Sequence, residues 1–122
     1  MNRMRSTHTF VAVAAGMMLG VSALVQAHAK LLKTEPAADS TIPKSPTEVS
    51  LTFNEAPDVT VSKIEISGAP ASVKVSKPAL KDKSLVATVD GQLPDGVYKV
   101  LWATAADDGH PEKGEFSFTL KH

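Results

Sequence analysis

Residues 94–102, Pro94-Asp95-Gly96-Val97-Tyr98-Lys99-Val100-Leu101-Trp102, decide the fold class. Pro-Asp-Gly is turn chemistry: proline presets φ, and glycine accepts a positive φ without steric cost. Directly after it, Tyr98, Val100 and Trp102 recur with period 2, so an extended chain puts all three on one face. Phe116, Phe118 and Leu120 repeat the pattern near the end of the chain, with Glu115, Ser117 and Thr119 facing the other way. Such alternation marks a half-buried strand.

Working outward, the same grammar recurs. Val49, Leu51 and Phe53 alternate with Ser50 and Thr52, and Asn54-Glu55-Ala56-Pro57-Asp58 breaks that strand. Lys30 to Thr34 reads as a first strand, followed by turn residues from Glu35 to Ser40 and by Pro43 and Pro46. Val59 to Ile66 is rich in β-branched residues, but its alternation slips near Ser62-Lys63, which predicts a bulge. Ser72 to Ser76 reads as an edge strand, with Lys74 and Lys77 discouraging further pairing. Leu85 to Val89 is another strand, ended by Asp90-Gly91. About seven short strands with turn signals between them predict an all-β single domain, a β-sandwich or Greek-key β-barrel. No window after residue 27 holds helical periodicity.

The first 27 residues follow a different pattern. Arg3 and Arg5 precede an uncharged apolar run from Phe10 to Leu24, and Val25-Gln26-Ala27 offers small residues at the −3 and −1 positions. That order is a secretory signal, with cleavage expected after Ala27. The run falls short of the ~20 apolar residues of a membrane span. The expected organisation is a leader, residues 1–27, and one export-competent domain, residues 28–122, located in the periplasm.

All 13 acidic residues lie beyond the leader, whereas both arginines lie within it, so the domain is faintly acidic and its only cations are lysines. This charge argues against nucleic acid as a partner. The chain has no Cys, which excludes thiolate zinc sites, thiol redox chemistry and Cys nucleophiles. Met1, Met4, Met17 and Met18 all belong to the leader, so the domain offers no soft sulfur ligand at all.

Three histidines remain after processing: His28, His110 and His122. His28 would become the first residue, where the free α-amine and the imidazole Nδ1 can chelate one metal ion. The amine's ordinary pKa of ~7.7–8.0 lets a metal displace its proton near neutrality. Asp108 and His110 sit two apart in Asp107-Asp108-Gly109-His110-Pro111, and in an extended segment such residues face the same side. Together the three residues supply two imidazoles, one amine and one carboxylate, a set suited to tetragonal Cu(II). Without sulfur ligands, Cu(I) has little to hold it. Glu55 is read as a solvated loop acid or an outer partner of the site, Asp107 as solvent-facing, Tyr98 and Trp102 as core, and His122 as a disordered terminus.

The chain resembles the CopC copper-resistance family. The resemblance is carried by His28-Ala29-Lys30-Leu31, Pro36-Ala37, Leu51-Thr52-Phe53-Asn54-Glu55, Gly96-Val97-Tyr98-Lys99-Val100-Leu101-Trp102, Asp108-Gly109-His110-Pro111 and Gly114. It implies a Greek-key β-barrel of immunoglobulin-like shape. It also implies Cu(II) binding at His28, Asp108 and His110, and a part in periplasmic copper homeostasis or resistance beside a CopD-type inner-membrane transporter. A single Cu(II) ion on a monomeric, non-enzymatic carrier is the expectation. Two other functions are weighed against it. A histidine-brace oxidative copper enzyme would need an open coordination position, which Asp108 would fill. An adhesion-type β-sandwich would bind no metal.

Overall fold

The computed structural model describes residues 29–122. The expected leader and His28 lie outside the described residues. Among those residues the strands are β1 (Leu31–Glu35), β2 (Thr41–Ile42), β3 (Glu48–Phe53), β4 (Lys63–Ser67), β5 (Lys74–Val75), β6 (Ala79–Lys81), β7 (Ser84–Asp90), β8 (Gly96–Ala105) and β9 (Pro111–Leu120). One sheet has the order β1-β3-β7-β5, with β6 also paired to β7; the other has the order β2-β9-β8-β4. Every pairing is antiparallel except the short parallel contact of β2 with β9.

The alternation in the sequence is the reason these strands pack as two faces. In β3, Val49, Leu51 and Phe53 are buried, and in β7 Leu85, Ala87 and Val89 are. Across the sandwich Tyr98, Val100, Phe116, Phe118 and Leu120 complete one core cluster. Fully burying a Leu or Phe side chain is worth roughly 1.5–3 kcal/mol, so this cluster is the main source of stability in a chain without disulfides. Tyr98 buries its ring and still satisfies its hydroxyl, which donates to the Pro94 carbonyl at 2.5 Å.

The all-β, Greek-key sandwich expectation holds, with two differences of detail. Val59–Val61 is a 3-10 turn and not the start of a strand. Asp58 caps it by accepting from the Thr60 N–H at 3.0 Å and the Thr60 hydroxyl at 2.6 Å, a local bond that outcompetes the β preference of the two valines. The alternation slips there because the strand begins only at Lys63; the bulge falls instead between Leu31 and Lys33 in β1. The very short β2 and β6 carry too few residues to show a period.

Trp102 marks where the two sheets lock. Its ring meets Phe53 edge-on, centroids 5.5 Å apart at 74°. It also lies over Gly114, its partner in the β8–β9 ladder, where a Cβ would come within 2.6 Å of the indole. His122, expected to be disordered, is tied down: Asp95 accepts from its backbone N–H at 3.0 Å and from its ring Nδ1.

Two measurements follow from these contacts. Gly114→Ala forces the indole out of its seat and lowers stability by ~1–3 kcal/mol; thermal unfolding reads the loss, and fluorescence of the single tryptophan shows the displaced ring. Asp95 has its pKa lowered from the ordinary 3.8, chiefly by the His122 ring hydrogen bond. A depressed carboxylate pKa stabilises the fold above its unfolded value and ceases to do so as pH falls through the folded one. The difference in melting temperature between the native chain and Asp95→Asn is therefore present above pH 3.8 and closes below it.

Candidate metal centre

The β8–β9 hairpin ends in a five-residue connection, Ala106 to His110, and backbone bonds fix its shape. Ala105 pairs with Pro111 at the last rung. Beyond it the Ala106 N–H donates to the His110 carbonyl at 3.1 Å, and the Gly109 N–H donates to the Ala106 carbonyl at 2.8 Å. Ala106 is 2% exposed and plugs the loop into the core. Gly109 has φ +87°, the left-handed region that glycine enters freely, and this reversal brings residues 108 and 110 together.

The sequence predicted the convergence of Asp108 and His110 from extended geometry. The structure brings them together through a turn instead. Asp108 Oδ1 accepts from the His110 N–H at 3.0 Å, and Asp108 Oδ2 lies 2.7 Å from His110 Nδ1. An ionised carboxylate only accepts, so Nδ1 carries the proton and Nε2 is left as the imidazole's lone-pair donor. A carboxylate on the far nitrogen of a histidine is the arrangement that sets tautomer and ring direction in metal sites. The His110 side chain is 63% exposed and that of Asp108 36%.

The start of the described chain lies at the same end of the sandwich. Ala29 is buried in the core cluster. Lys30 is clamped from both sides by Asn54: its N–H donates to Asn54 Oδ1 at 2.7 Å, and its carbonyl accepts from the Asn54 N–H at 3.0 Å. Asn54 opens the loop that holds Glu55 and Asp58, both exposed, and the Asp58 N–H donates to the Ala105 carbonyl at 3.0 Å. Asn54 and Asp58 thus hold the chain entry and the Ala106–His110 loop in one frame. Sequence reading gave them no role, although Asp58-Val59-Thr60 carries a capping signature. Asp107 is exposed, as expected, while His122 sits at the opposite end of the sandwich.

Among the described residues, no three of His, Cys, Asp and Glu converge as a metal-holding group. Asp108 and His110 provide two donors, and His28, read as the third, lies outside the described residues.

A family model described as CopC domain matches residues 31–121. Copper resistance protein C of Escherichia coli is 32% identical over 117 residues, spanning 87% of this chain and 91% of that protein. Copper transport protein CutJ of Bacillus subtilis (strain 168) is 30% identical over 98 residues, 77% of this chain and 18% of that protein. The crystal structure of PcoC, a methionine-rich copper resistance protein from Escherichia coli, matches with a TM-score of 0.66 at 32% identity, over 78% of this chain and 100% of that one.

The Asp108 contact has a direct spectroscopic consequence. In the metal-free protein near neutrality, neutral His110 occupies the Nδ1–H tautomer. Asp108→Ala removes the acceptor and returns the ring toward the Nε2–H form. Long-range proton–nitrogen correlation spectra of the imidazole distinguish the two.

Proposed function

The chain belongs to the CopC domain family, and from that premise we propose that it is a periplasmic copper carrier or buffer that binds one Cu(II) ion per processed chain. The observation that carries this reading is the Asp108–His110 pair at the end of the sandwich where the described chain begins. Ala29 is one peptide bond from His28. In this reading cleavage after Ala27 makes His28 the first residue, and its α-amine and Nδ1 chelate copper. His110 and an Asp108 oxygen complete an N₃O set, and because one carboxylate cannot hold the ring Nδ1–H and also bind an ion on Nε2, copper binding replaces the Asp108–His110 ring contact with two metal bonds.

Each donor choice favours the oxidised ion. Imidazole, amine and carboxylate suit Cu(II), which also heads the divalent affinity series. PcoC is described as methionine-rich; this chain has no methionine after Met18, so a thioether Cu(I) site is not carried over. With Asp108 in the fourth position the ion is closed to the open coordination that O₂ activation needs, and the role proposed is non-enzymatic. The acceptor proposed is a CopD-type membrane transporter, served by a monomeric carrier.

Continuous-wave EPR during Cu(II) titration tests the site. The processed chain beginning at His28 gives one tetragonal spectrum with nitrogen hyperfine structure and a single equivalent bound. One added residue before His28 removes the primary amine, and His110→Ala removes an imidazole. Losing even an outer partner of a ligand typically costs about 10–100-fold in affinity, so losing a donor costs at least that. Equal affinities for the processed and extended chains would remove the terminus from the site.

A further inference from the structure

We propose that the open edge formed by β5, β6 and the turn after β6 adsorbs to an anionic phospholipid surface, with Leu80 entering the headgroup boundary among lysine side chains. The inference is independent of the copper reading and assigns a surface outside the Ala106–His110 loop.

The edge is a product of the topology. β3 occupies one side of β7, and β5 and β6 share the other. No strand pairs beyond them among the described residues. Lys74, Lys77, Lys81 and Lys83 fall within this stretch, and all four are exposed. The three residues of β6 are exposed as well, with Leu80 at 41%. Both ends of β6 are held in place. Before it, the Ser76 N–H donates to the Thr88 carbonyl at 3.0 Å, and the Ser76 hydroxyl accepts from the Thr88 N–H at 2.9 Å. After it, the Lys83 carbonyl accepts from the Phe53 N–H at 2.9 Å. A surface fixed in advance loses little entropy when it is covered.

Lysine on an edge strand ordinarily guards against further strand pairing. The other open edges show how little charge that takes. β1 pairs Lys33 with Glu35 at 3.7 Å, and β4 carries Glu65 two residues after Lys63. Each of these edges is electrically balanced. The β5–β6 edge is not: its four lysines meet only Asp82, in the turn, and Asp90, opposite Lys74 in the ladder. The ion pairs that Lys33 and Lys99 make with Glu35 and Glu115 have no counterpart here among the described residues. At physiological salt, charges more than about 8 Å apart are largely screened. A surface in contact with the edge therefore meets this local cationic excess and not the faintly acidic domain as a whole.

The chemistry of the patch selects its occupant. Lysine is a flexible point charge without the planar fork that reads the geometry of one phosphate. Several lysines together suit a diffuse anionic bilayer surface, where each strengthens binding by about fivefold. Leu80 lies between Lys77 and Lys81 in the chain and adds the apolar component by which interfacial segments enter the headgroup region. Single-stranded nucleic acid would instead require aromatic side chains on which bases stack, and residues 74–83 contain none.

Vesicle flotation at physiological salt tests the proposal, with the processed chain beginning at His28 so that no leader contributes. The vesicles are phosphatidylcholine alone or an equal mixture of phosphatidylglycerol and phosphatidylcholine. The native chain is expected to float with the mixed vesicles, to stay behind with phosphatidylcholine alone, and to be released by added salt. Lys81→Glu combined with Lys83→Glu weakens binding by about 25-fold or more, fivefold for each lysine lost. Leu80→Ser weakens it by about fourfold or more, the equivalent of one buried methylene. Lys44→Glu combined with Lys113→Glu changes the net charge equally at exposed positions off this edge, and binds as the native chain does. Thermal melts matching the native chain confirm the fold of each variant. Failure of the native chain to float, an equal loss in both double variants, or unchanged binding by Leu80→Ser overturns the proposal. So does tighter binding of the native chain to a single-stranded oligonucleotide than to the mixed vesicles.

Discussion

The ten-rung pairing of β8 with β9 is the constraint on which the rest of the structure depends. Its inner face supplies Tyr98, Val100, Phe116 and Phe118 to the core, so a one-residue slip would turn all four toward water. The core therefore fixes the register, and the register fixes where Ala105 meets Pro111. What remains for the chain to close is five residues. The geometry of Asp108 and His110 is thus inherited from hydrophobic burial along the ladder. Their own hydrogen bonds refine a loop whose ends are already placed.

A second chain of contacts carries the same order to the other sheet. Trp102 lies over Gly114 and presses edge-on against Phe53, the last residue of β3. The next residue, Asn54, clamps Lys30, and Ala29 enters the core beside them. The loop that begins at Asn54 returns to the hairpin through the Asp58 N–H and Ala105. The indole Nε1 finds no hydrogen-bond acceptor among the described residues. Leaving a buried donor unmade typically costs ~1–3 kcal/mol. The aromatic packing and the close approach over Gly114 offset that cost and fix both loops relative to each other.

Much of this was legible in the sequence, because hydrophobic alternation is local. Val49-Leu51-Phe53, Tyr98-Val100-Trp102 and Phe116-Phe118-Leu120 each announce a strand and its buried face. Asp108-Gly109-His110 announced a pair of donors, and glycine's freedom explains how they meet. Propensity misled where a side-chain cap intervened: Val59 and Val61 read as strand, but Asp58 bonds to Thr60 and turns the chain. Non-local ties could not be read at all. Asp95 and His122 are 27 residues apart, and Asn54 and Lys30 are 24 apart. Nothing in the local pattern of either residue indicates its partner. β2 and β6 owe their existence to neighbouring strands rather than to any period of their own.

The placement of the Ala106–His110 loop bears on what a carrier requires. A protein that delivers its cargo must stay folded after release, unlike small zinc domains whose fold is the binding free energy itself. Here the core closes without the loop's polar groups: Phe53, Leu85, Val100 and Phe118 are within 1% of complete burial, whereas the His110 side chain is 63% exposed. Removing an ion from Asp108 and His110 would expose no apolar surface and strand no buried charge. Such an exposed site gains little from a low dielectric. On the reading proposed above, its affinity comes from chelation by the amine and imidazole of one residue, and the Asp108 contact to His110 Nδ1 holds the loop together until the ion replaces it. On that reading the four donors close the resting site, and the exposure of the His110 side chain lets an acceptor's ligand enter only as one donor leaves. Transfer can then proceed by exchange of one donor at a time, with no opening of the sandwich.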